Sequence, residues 1–356
     1  MTQDIVIGNR QVGKNAPVYI IAEAGVNHNG KLDIALELVR KAKEIGADCI
    51  KFQTFKADAV ITKDAPKAEY QLKVTDQAES QYEMLKSLEL GFDDYQTILE
   101  ECDRVGIDFL STPYNKVDVD FLFKLGVKAF KIASGQLVEL DFLNYVASKN
   151  LPIILSTGMG KLSEASKAIE IIRETGNEEI VLLQCVTNYP ADIKDVNLKA
   201  MTAMGNALDV LYGYSDHVPM NYAAYASVAL GASVVEKHFT LDTKMKGPDH
   251  SSSLDYNDFQ ELIRGIRAVE SSLGSSFKKP SDVELKNSKG MRRSIVFKDD
   301  LPEGTVLDKN HFTFKRPSIG LKPELLNYFI GKVTATNVAK DTFLGFHHID
   351  WQNENN

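Results

Sequence analysis

The chain has 356 residues, of which 44% are hydrophobic and 25% charged, and carries a formal net charge of -8. That is the make-up of a soluble globular protein with room for one large domain and a smaller one, and its acidic balance disfavours nucleic acid as a partner. No stretch approaches the ~20 apolar residues that cross a bilayer, and "MTQDIVIGNRQVG" lacks the basic-then-apolar order of a secretory signal, so a cytoplasmic protein with no membrane partner is expected.

In chain order, short apolar runs alternate with longer segments of helical period, the pattern of repeated βα units. The runs are "VYIIAEAG" from Val18, "CIKFQTF" from Cys49, "DFLSTPY" from Asp108, "AFKIASG" from Ala129, "PIILSTG" from Pro152, "IVLLQCV" from Ile180, "LYGYSDH" from Leu211 and "SVVEKHFT" from Ser233. Between the first two, "LDIALELVRKAKEIGAD" sets Leu32, Ile34, Ala35, Leu38, Val39 and Ala42 on one helical face. Eight βα units over roughly 250 residues predict a closed (β/α)₈ TIM barrel, with a doubly wound open sheet as the alternative. The barrel domain spans 1–274 with a short β extension at its start, and the polar segment 275–290 reads as a linker. Residues 291–356 form a small β-rich module near the lower size limit for folding alone. Cys49, Cys102 and Cys185, odd in number and far apart, suit reduced core thiols rather than disulfides or a zinc cluster.

Most of the apolar runs end in polar groups, and in a barrel those ends converge on one mouth, where catalysis sits. His217 and His238 close the last two runs; neighbouring parallel strands lie ~4.8 Å apart, so two imidazoles there can share a divalent ion and leave its other positions to water or substrate. Lys51 and Lys131 interrupt apolar runs and share the expected cavity with Ser134, Ser156 and Ser215, a set suited to a phosphate and a carboxylate. Ser111, Thr112, Thr157 and Thr187 occupy the same rim. Glu23 is placed to handle a proton. Glu236 reads either as a functional carboxylate or as a salt-bridge partner of the lysines. Asp249, in "GPDH", is placed to accept from sugar hydroxyls. There is no dinucleotide or Walker fingerprint.

The motifs "IAEAGVNHNG", "KFQTFKA", "STPY", "KIASG", "ILSTGM", "YSDH", "EKHFTLD", "GPDH" and "KRPSIG", in this order and over nearly the whole chain, resemble the sialic acid synthase family. The terminal module resembles the antifreeze-like (SAF) domain of those enzymes. The resemblance implies a metal-dependent condensation of phosphoenolpyruvate with an N-acylated mannose-type sugar, giving N-acetylneuraminate or legionaminate and phosphate. It also implies a homodimer with the small domain swapped between subunits. Carried over by motif, His217 and His238 hold the ion, Mn²⁺ or Mg²⁺. Lys51, Lys131, Ser134, Ser156 and Ser215 bind phosphoenolpyruvate with Thr112 and Thr187 nearby, Glu23 transfers protons, and Gln53, Tyr189 and Asp249 orient the sugar. Arg316 of "KRPSIG" reaches the partner's barrel to contact the acyl group.

The sequence departs from the family pattern at three places. Gln136 stands where the family has a catalytic glutamate, Gln184-Cys185 where it has His-Cys, and Ser318-Ile319 where it has Gly-Asn. The first leaves Glu23 or Glu139 as the available base, and it motivates an alternative reading as a binding homologue impaired in turnover. Pseudaminate synthesis is a second alternative; ice binding is disfavoured by Arg292, Arg293 and Lys315. The segments "APKAEYQ" and "ESQYEMLKSLEL" resemble branches that make either sugar acid.

Overall fold

The computed structural model describes residues 3–68, 71–72, 75–76 and 79–352. The chain divides into two compact units, Met1–Gly274 and Ser275–Asn356.

In the first unit the strands are β3 (Tyr19–Gly25), β4 (Cys49–Thr54), β5 (Asp108–Pro113), β6 (Phe130–Ile132), β7 (Ile153–Ser156), β8 (Ile180–Cys185), β9 (Leu211–Asp216) and β10 (Val234–His238). They follow a hairpin of β1 (Ile5–Ile7) and β2 (Arg10–Val12). The order is β5-β4-β3-β10-β9-β8-β7-β6, parallel throughout, and β5 packs beside β6. The decisive pairing joins the first barrel strand to the last, Tyr19 opposite Val234 through Glu23 opposite His238. A doubly wound sheet has no such pair, so the open-sheet alternative falls and the TIM-like barrel stands. A Cβ at Gly213 would lie 2.2 Å from Val234 O, so only glycine lets β9 and β10 approach this closely.

Strand alternation divides each run between two environments. Ile20, Ala22, Ile50, Phe52 and Val235 point outward into a core shared with the surrounding helices. The helix Leu32–Glu44 buries Ala35, Leu38, Val39 and Ala42 on the face read from its period. Tyr19, Ile21, Cys49, Leu110, Ile154, Val181 and Val234 point inward. Ile5, Ile7 and Val12 of the hairpin join that inner cluster and close the barrel at the N-terminal ends of its strands. The opposite, C-terminal end is left for the site.

At that end, local capping sets the loops. Before the helix Lys116–Leu125, Asn115 Oδ1 accepts from the backbone of Val117 and Asp118, while Asp118 Oδ2 accepts from Asn115 N at 3.1 Å and Tyr114 N at 3.3 Å. This reciprocal capping box fixes the turn that presents Tyr114.

The second unit has its own apolar cluster, with Ile295, Phe297, Leu307, Phe329 and Leu344 buried around the antiparallel pairs β11 (Ser294–Phe297) with β12 (Phe312–Lys315), and β13 (Val333–Thr334) with β14 (Ile349–Asp350). The stretch read as linker is partly helical. Ser281 and Glu284 form a capping box at the start of the helix Asp282–Met291, on which Val283, Leu285 and Met291 are exposed.

Candidate active site

The inward parity that buries Ile21, Cys49, Leu110 and Val234 continues to the strand ends and turns Glu23, Lys51, Gln53, Thr112, Lys131, Ser156, Cys185, Ser215 and Glu236 onto one cavity of about 440 Å³. His217 and His238 share this parity. Ser134, Gln136, Thr187, Tyr189 and Asp249, in the loops just beyond the strands, complete the predicted set on the same cavity. Ser111 and Thr157 do not line it. Ser111 has the outward parity and bonds Thr54 Oγ1 at 2.7 Å, and Thr157 Oγ1 donates to Leu183 O. Arg316 lies in the second unit, exposed directly after β12. Glu69 and Tyr70 of "APKAEYQ" lie outside the described residues.

The cavity floor is a buried ionic cluster. Lys51 Nζ lies 2.6 Å from Glu23 Oε2, 3.9 Å from Glu236 Oε2 and 3.3 Å from Thr112 Oγ1. Lys131 Nζ donates to Ser156 Oγ at 2.8 Å and lies 3.5 Å from Glu236 Oε1, which also accepts from Ser215 at 3.0 Å. Thus both readings of Glu236 apply to one group, a cavity-lining carboxylate ion-paired with both lysines. Burial works against its charge, but Lys131 and Lys51 hold it well below the usual carboxylate range. Burial would lower Lys51, yet Glu23 and Glu236 outweigh it and keep the ammonium charged; burial does lower Lys131. Burial also lifts the Glu23 carboxyl against the pull of Lys51, and lifts Asp249 to about 6, with Glu23 adding to the effect. Gln53 ties these groups to the wall by donating to Glu23 Oε1 at 3.2 Å and accepting from Tyr114 Oη at 3.1 Å. Gly25 has φ 52°, and a Cβ there would sit 3.2 Å from both Gln53 Nε2 and Glu23 Oε1, so the left-handed turn keeps space beside the proton-handling carboxyl.

On the same cavity the ring centroids of His217 and His238 are 5.5 Å apart, with Tyr189 4.2 Å from His217 and 5.6 Å from His238. His217 Nδ1 sits 2.7 Å from Val186 O, an acceptor only, so that nitrogen carries a proton; burial disfavours charge on this ring, but the Cys185 thiol beside it outweighs burial and raises the imidazole above its ordinary value. His238 Nδ1 is buried without a hydrogen-bond partner, and burial together with His217 pushes this imidazole far toward its neutral form. Two neighbouring imidazoles beside the Glu236 carboxylate suit a divalent cation, which binds histidine in its neutral form and so competes with the proton on His217. Among the described residues no group of three or more His, Cys, Asp or Glu forms a closed metal cage. An open two-histidine site, with further positions left to solvent or substrate, fits that finding.

The strands that hold the histidines are tied from behind. Lys237 points outward, where its Nζ donates to Asp216 Oδ2 and Val218 O, both at 2.6 Å, and Asp216 Oδ1 accepts from Val218 N and Tyr214 Oη. The consecutive ionisable residues Glu236, Lys237 and His238 therefore split by parity: the outer two face the cavity and the middle one anchors the loop after β9.

Sequence reasoning missed Cys185 as a lining residue. Its Sγ lies 3.7 Å from Ser134 Oγ and 3.9 Å from His217 Nδ1, and counting by twos from Leu183 would have revealed it. It also missed the outer wall, built from Val26, Phe55 and Tyr114 just beyond the first three barrel strands and from the helix Gln81–Ser87, because its apolar residues read as ordinary core and its few polar ones follow no strand-end pattern. Gln184, one of the departures, points away from the cavity and donates to Val196 O at 3.0 Å.

The sequence profile of the NeuB family matches residues 38–278, and that of the SAF domain matches residues 292–350. The chain is similar to the N,N'-diacetyllegionaminic acid synthase of Legionella pneumophila, 43% identical over 96% of this chain and 98% of that protein. It is also similar to the synthase of the same name from Campylobacter jejuni, 42% identical over 91% and 98%. Among solved structures it resembles the N-acetylneuraminic acid synthetase of Leptospira borgpetersenii in complex with citrate, with TM-score 0.72 and 30% identity over 81% of this chain and 95% of that one.

Proposed function

The chain belongs to the NeuB family, and from that premise we propose that it is a nonulosonic acid synthase, condensing phosphoenolpyruvate with the open-chain aldehyde of an N-acylated mannose-type sugar to give N-acetylneuraminate or legionaminate and phosphate. The observation that carries this reading is the pairing, in one closed-bottomed cavity, of the Lys51, Lys131, Glu23 and Glu236 cluster with the two imidazoles of His217 and His238.

Lys51 and Lys131, with Ser134, Ser156 and Ser215, form the seat for the carboxylate and phosphate of phosphoenolpyruvate, since charge-assisted bonds inside a low-dielectric cavity are the strong ones. The glutamates that neutralise the lysines keep the floor near electrical balance and pair the ammonium groups before the ligand arrives. Thr112 positions Lys51 from the neighbouring strand, and Thr187 lines the same cavity. His217 and His238 would hold the divalent ion, Mn²⁺ or Mg²⁺. Bound there, it supplies Lewis-acid polarisation of the aldehyde oxygen. Carbon 3 of phosphoenolpyruvate forms the new bond to the aldehyde carbon, and the aldehyde oxygen takes up a proton. Water adds to carbon 2 and loses a proton, and the bond from carbon 2 to the bridging oxygen then breaks to release phosphate. Glu23, beside Lys51 and facing the space that Gly25 leaves open, is the group for these proton transfers. Gln136 stays a neutral neighbour of the reacting atoms. Gln53, Tyr189 and Asp249 orient the sugar hydroxyls.

The same reading makes the enzyme a homodimer in which the second unit serves the partner's barrel and brings Arg316 to the acyl group. The exposed Phe277, Val283, Met291 and Ile319 of that unit support a covering partner.

The test is phosphate release by purified protein supplied with Mn²⁺. Release requires both phosphoenolpyruvate and an N-acylated mannosamine, stops with a chelator, and falls at least ~100-fold in Lys131→Met, about the effect of losing one charge-stabilising donor. Release that is independent of the sugar would contradict the synthase reading.

A further inference from the structure

Two stretches singled out in the sequence, "VNHNG" after β3 and "GPDH" after β10, meet where the first barrel strand pairs with the last. The second loop is tied off at its base. Phe239 N donates to Glu23 O at 2.7 Å, and Leu254 N to His238 O and Thr240 N to Leu254 O, both at 2.9 Å, so residues 240–253 leave the strand end and return to it. Its Pro248 and Asp249 reach the cavity lining. Behind them a polar relay joins the two loops. Asn27 Nδ2 donates to Phe239 O and to Ser253 Oγ, each at 2.9 Å, and Ser253 Oγ donates in turn to Asp249 O at 2.7 Å. His250, fully buried, makes a second tie. Burial pushes its imidazole down to about 4, so the ring is neutral, with Nε2 donating to Asn29 Oδ1 at 3.1 Å and Nδ1 accepting from Thr240 Oγ1 at 2.6 Å. A Cβ at Gly247 would lie 2.9 Å from Asn29 Oδ1 and 2.7 Å from the His250 ring, so a glycine lets the chain pass over that bond.

These bonds hold Asp249 by its backbone and through its neighbours, and none of them uses its carboxyl. Among the described residues no donor is bonded to that carboxyl, although it is buried on the cavity. Its Oδ2 borders the gap at Gly25 that Glu23 Oε1 also borders, 3.7 and 3.2 Å respectively from a Cβ built there. Resting on the synthase reading above, in which Asp249 orients the sugar hydroxyls, we propose that Asn27, Ser253 and His250 are positioning residues for the acceptor: they clasp the last loop to the first and aim the Asp249 carboxyl into the cavity beside Glu23 before the sugar arrives. A carboxylate on a free loop loses conformational freedom when a hydroxyl bonds it, and that loss weakens binding; one already held in place loses little. The effect falls on the sugar. The phosphoenolpyruvate seat at Lys51, Lys131 and Ser156 is carried by β4, β6 and β7, which the relay does not bond.

Ser253→Ala removes one hydroxyl from the relay and leaves the base of the loop tied by its backbone. Phosphate release with Mn²⁺ is measured while phosphoenolpyruvate and the sugar, the better of N-acetylmannosamine and its diacetamido trideoxy counterpart, are varied in turn. The sugar KM is expected to rise ~3–10-fold, the effect of about one net hydrogen bond, while kcat and the KM for phosphoenolpyruvate stay within ~2-fold. His250→Gln, whose amide can replace the donor to Asn29, should stay near the unmodified protein, whereas His250→Leu should raise the sugar KM as Ser253→Ala does. In an Asp249→Ala background, Ser253→Ala should change kcat/KM for the sugar by less than ~2-fold, because nothing is left to position; where that background is too slow to measure, the split between the two KM values decides. A merely structural role would raise both KM values together and would persist without Asp249. Either of those results, or a sugar KM that Ser253→Ala does not move, would overturn the clasp's role and leave the synthase reading standing. No sugar-dependent release by the unmodified protein would overturn both.

Discussion

Gln136 shows how one side chain can be legible in the sequence and still change meaning in the structure. The motif resemblance expects a glutamate here; the glutamine lines the cavity, but its Nε2 donates to Pro113 O at 3.1 Å and its Oε1 faces Ala133 N at 3.4 Å. The amide acts as a tie between two strand ends, a job that needs a donor. A carboxylate cannot donate to Pro113 O unless it is protonated. Gln136→Glu is therefore expected to lower thermal stability, by ~1–3 kcal/mol for a buried carbonyl left without its donor, and not to raise kcat at neutral pH. Melting curves and phosphate release on the same preparation check this; higher kcat with unchanged melting would show that a missing base, not a structural tie, defines the position. The site residues on the strands themselves were legible because period-2 alternation carries each strand's inward parity to its end, whereas those in the loops beyond follow no such parity, and Gln136 and Tyr189 among them were expected only from the motif resemblance. Cys185 was not, because a thiol among apolar neighbours reads as core, and Ser111 misled because a hydroxyl near a strand end carries no sign of which face it takes.

At the level of single elements, the helices and strands follow from patterning, while their caps decide what the loops present. Asp118 caps the helix Lys116–Leu125 and holds the turn of Tyr114, which in turn bonds Gln53 and borders the apolar wall. Burial pushes its carboxyl up to about 6. The unfolded chain titrates near ~3.9, so between about 4 and about 6 the folded state binds more protons than the unfolded one. This group's contribution to stability is therefore largest at the acid end and lost as pH rises through that window. Asp118→Asn removes the titration, so the melting temperature of the variant minus that of the unmodified protein should increase from pH ~4 to ~6; a flat or falling difference would show that the carboxyl is not raised. The helix Asp282–Met291 is the element that patterning hid. Its Ser281 and Glu284 form a readable capping box, but the surrounding serines and lysines and the lack of a buried face gave it the look of a linker.

For the molecule as a whole, barrel closure was inferred from the count of βα units, but only the pairing of β3 with β10 distinguishes a barrel from an open sheet, and that contact joins residues more than two hundred positions apart in sequence. The small unit's role in catalysis is likewise invisible to local pattern, since Arg316 is an exposed arginine on its own chain. If subunits exchange their second units, His217→Ala and Arg316→Ala are each impaired alone, yet a mixed dimer contains one cavity with both residues intact. Activity should reappear on co-refolding the two variants; no recovery in a sample shown to contain mixed dimers would place Arg316 outside the partner's site. The central claim, that phosphoenolpyruvate gives its carbon to a sugar and loses phosphate by cleavage at carbon, has one direct measurement. The reaction is run in water labelled with heavy oxygen, with acceptor and Mn²⁺, and the released phosphate is read by phosphorus NMR. The account predicts phosphate that has gained no solvent oxygen, because the bridging oxygen departs with phosphorus. Phosphate that carries the label would mean attack at phosphorus, a phosphatase, and would contradict the account.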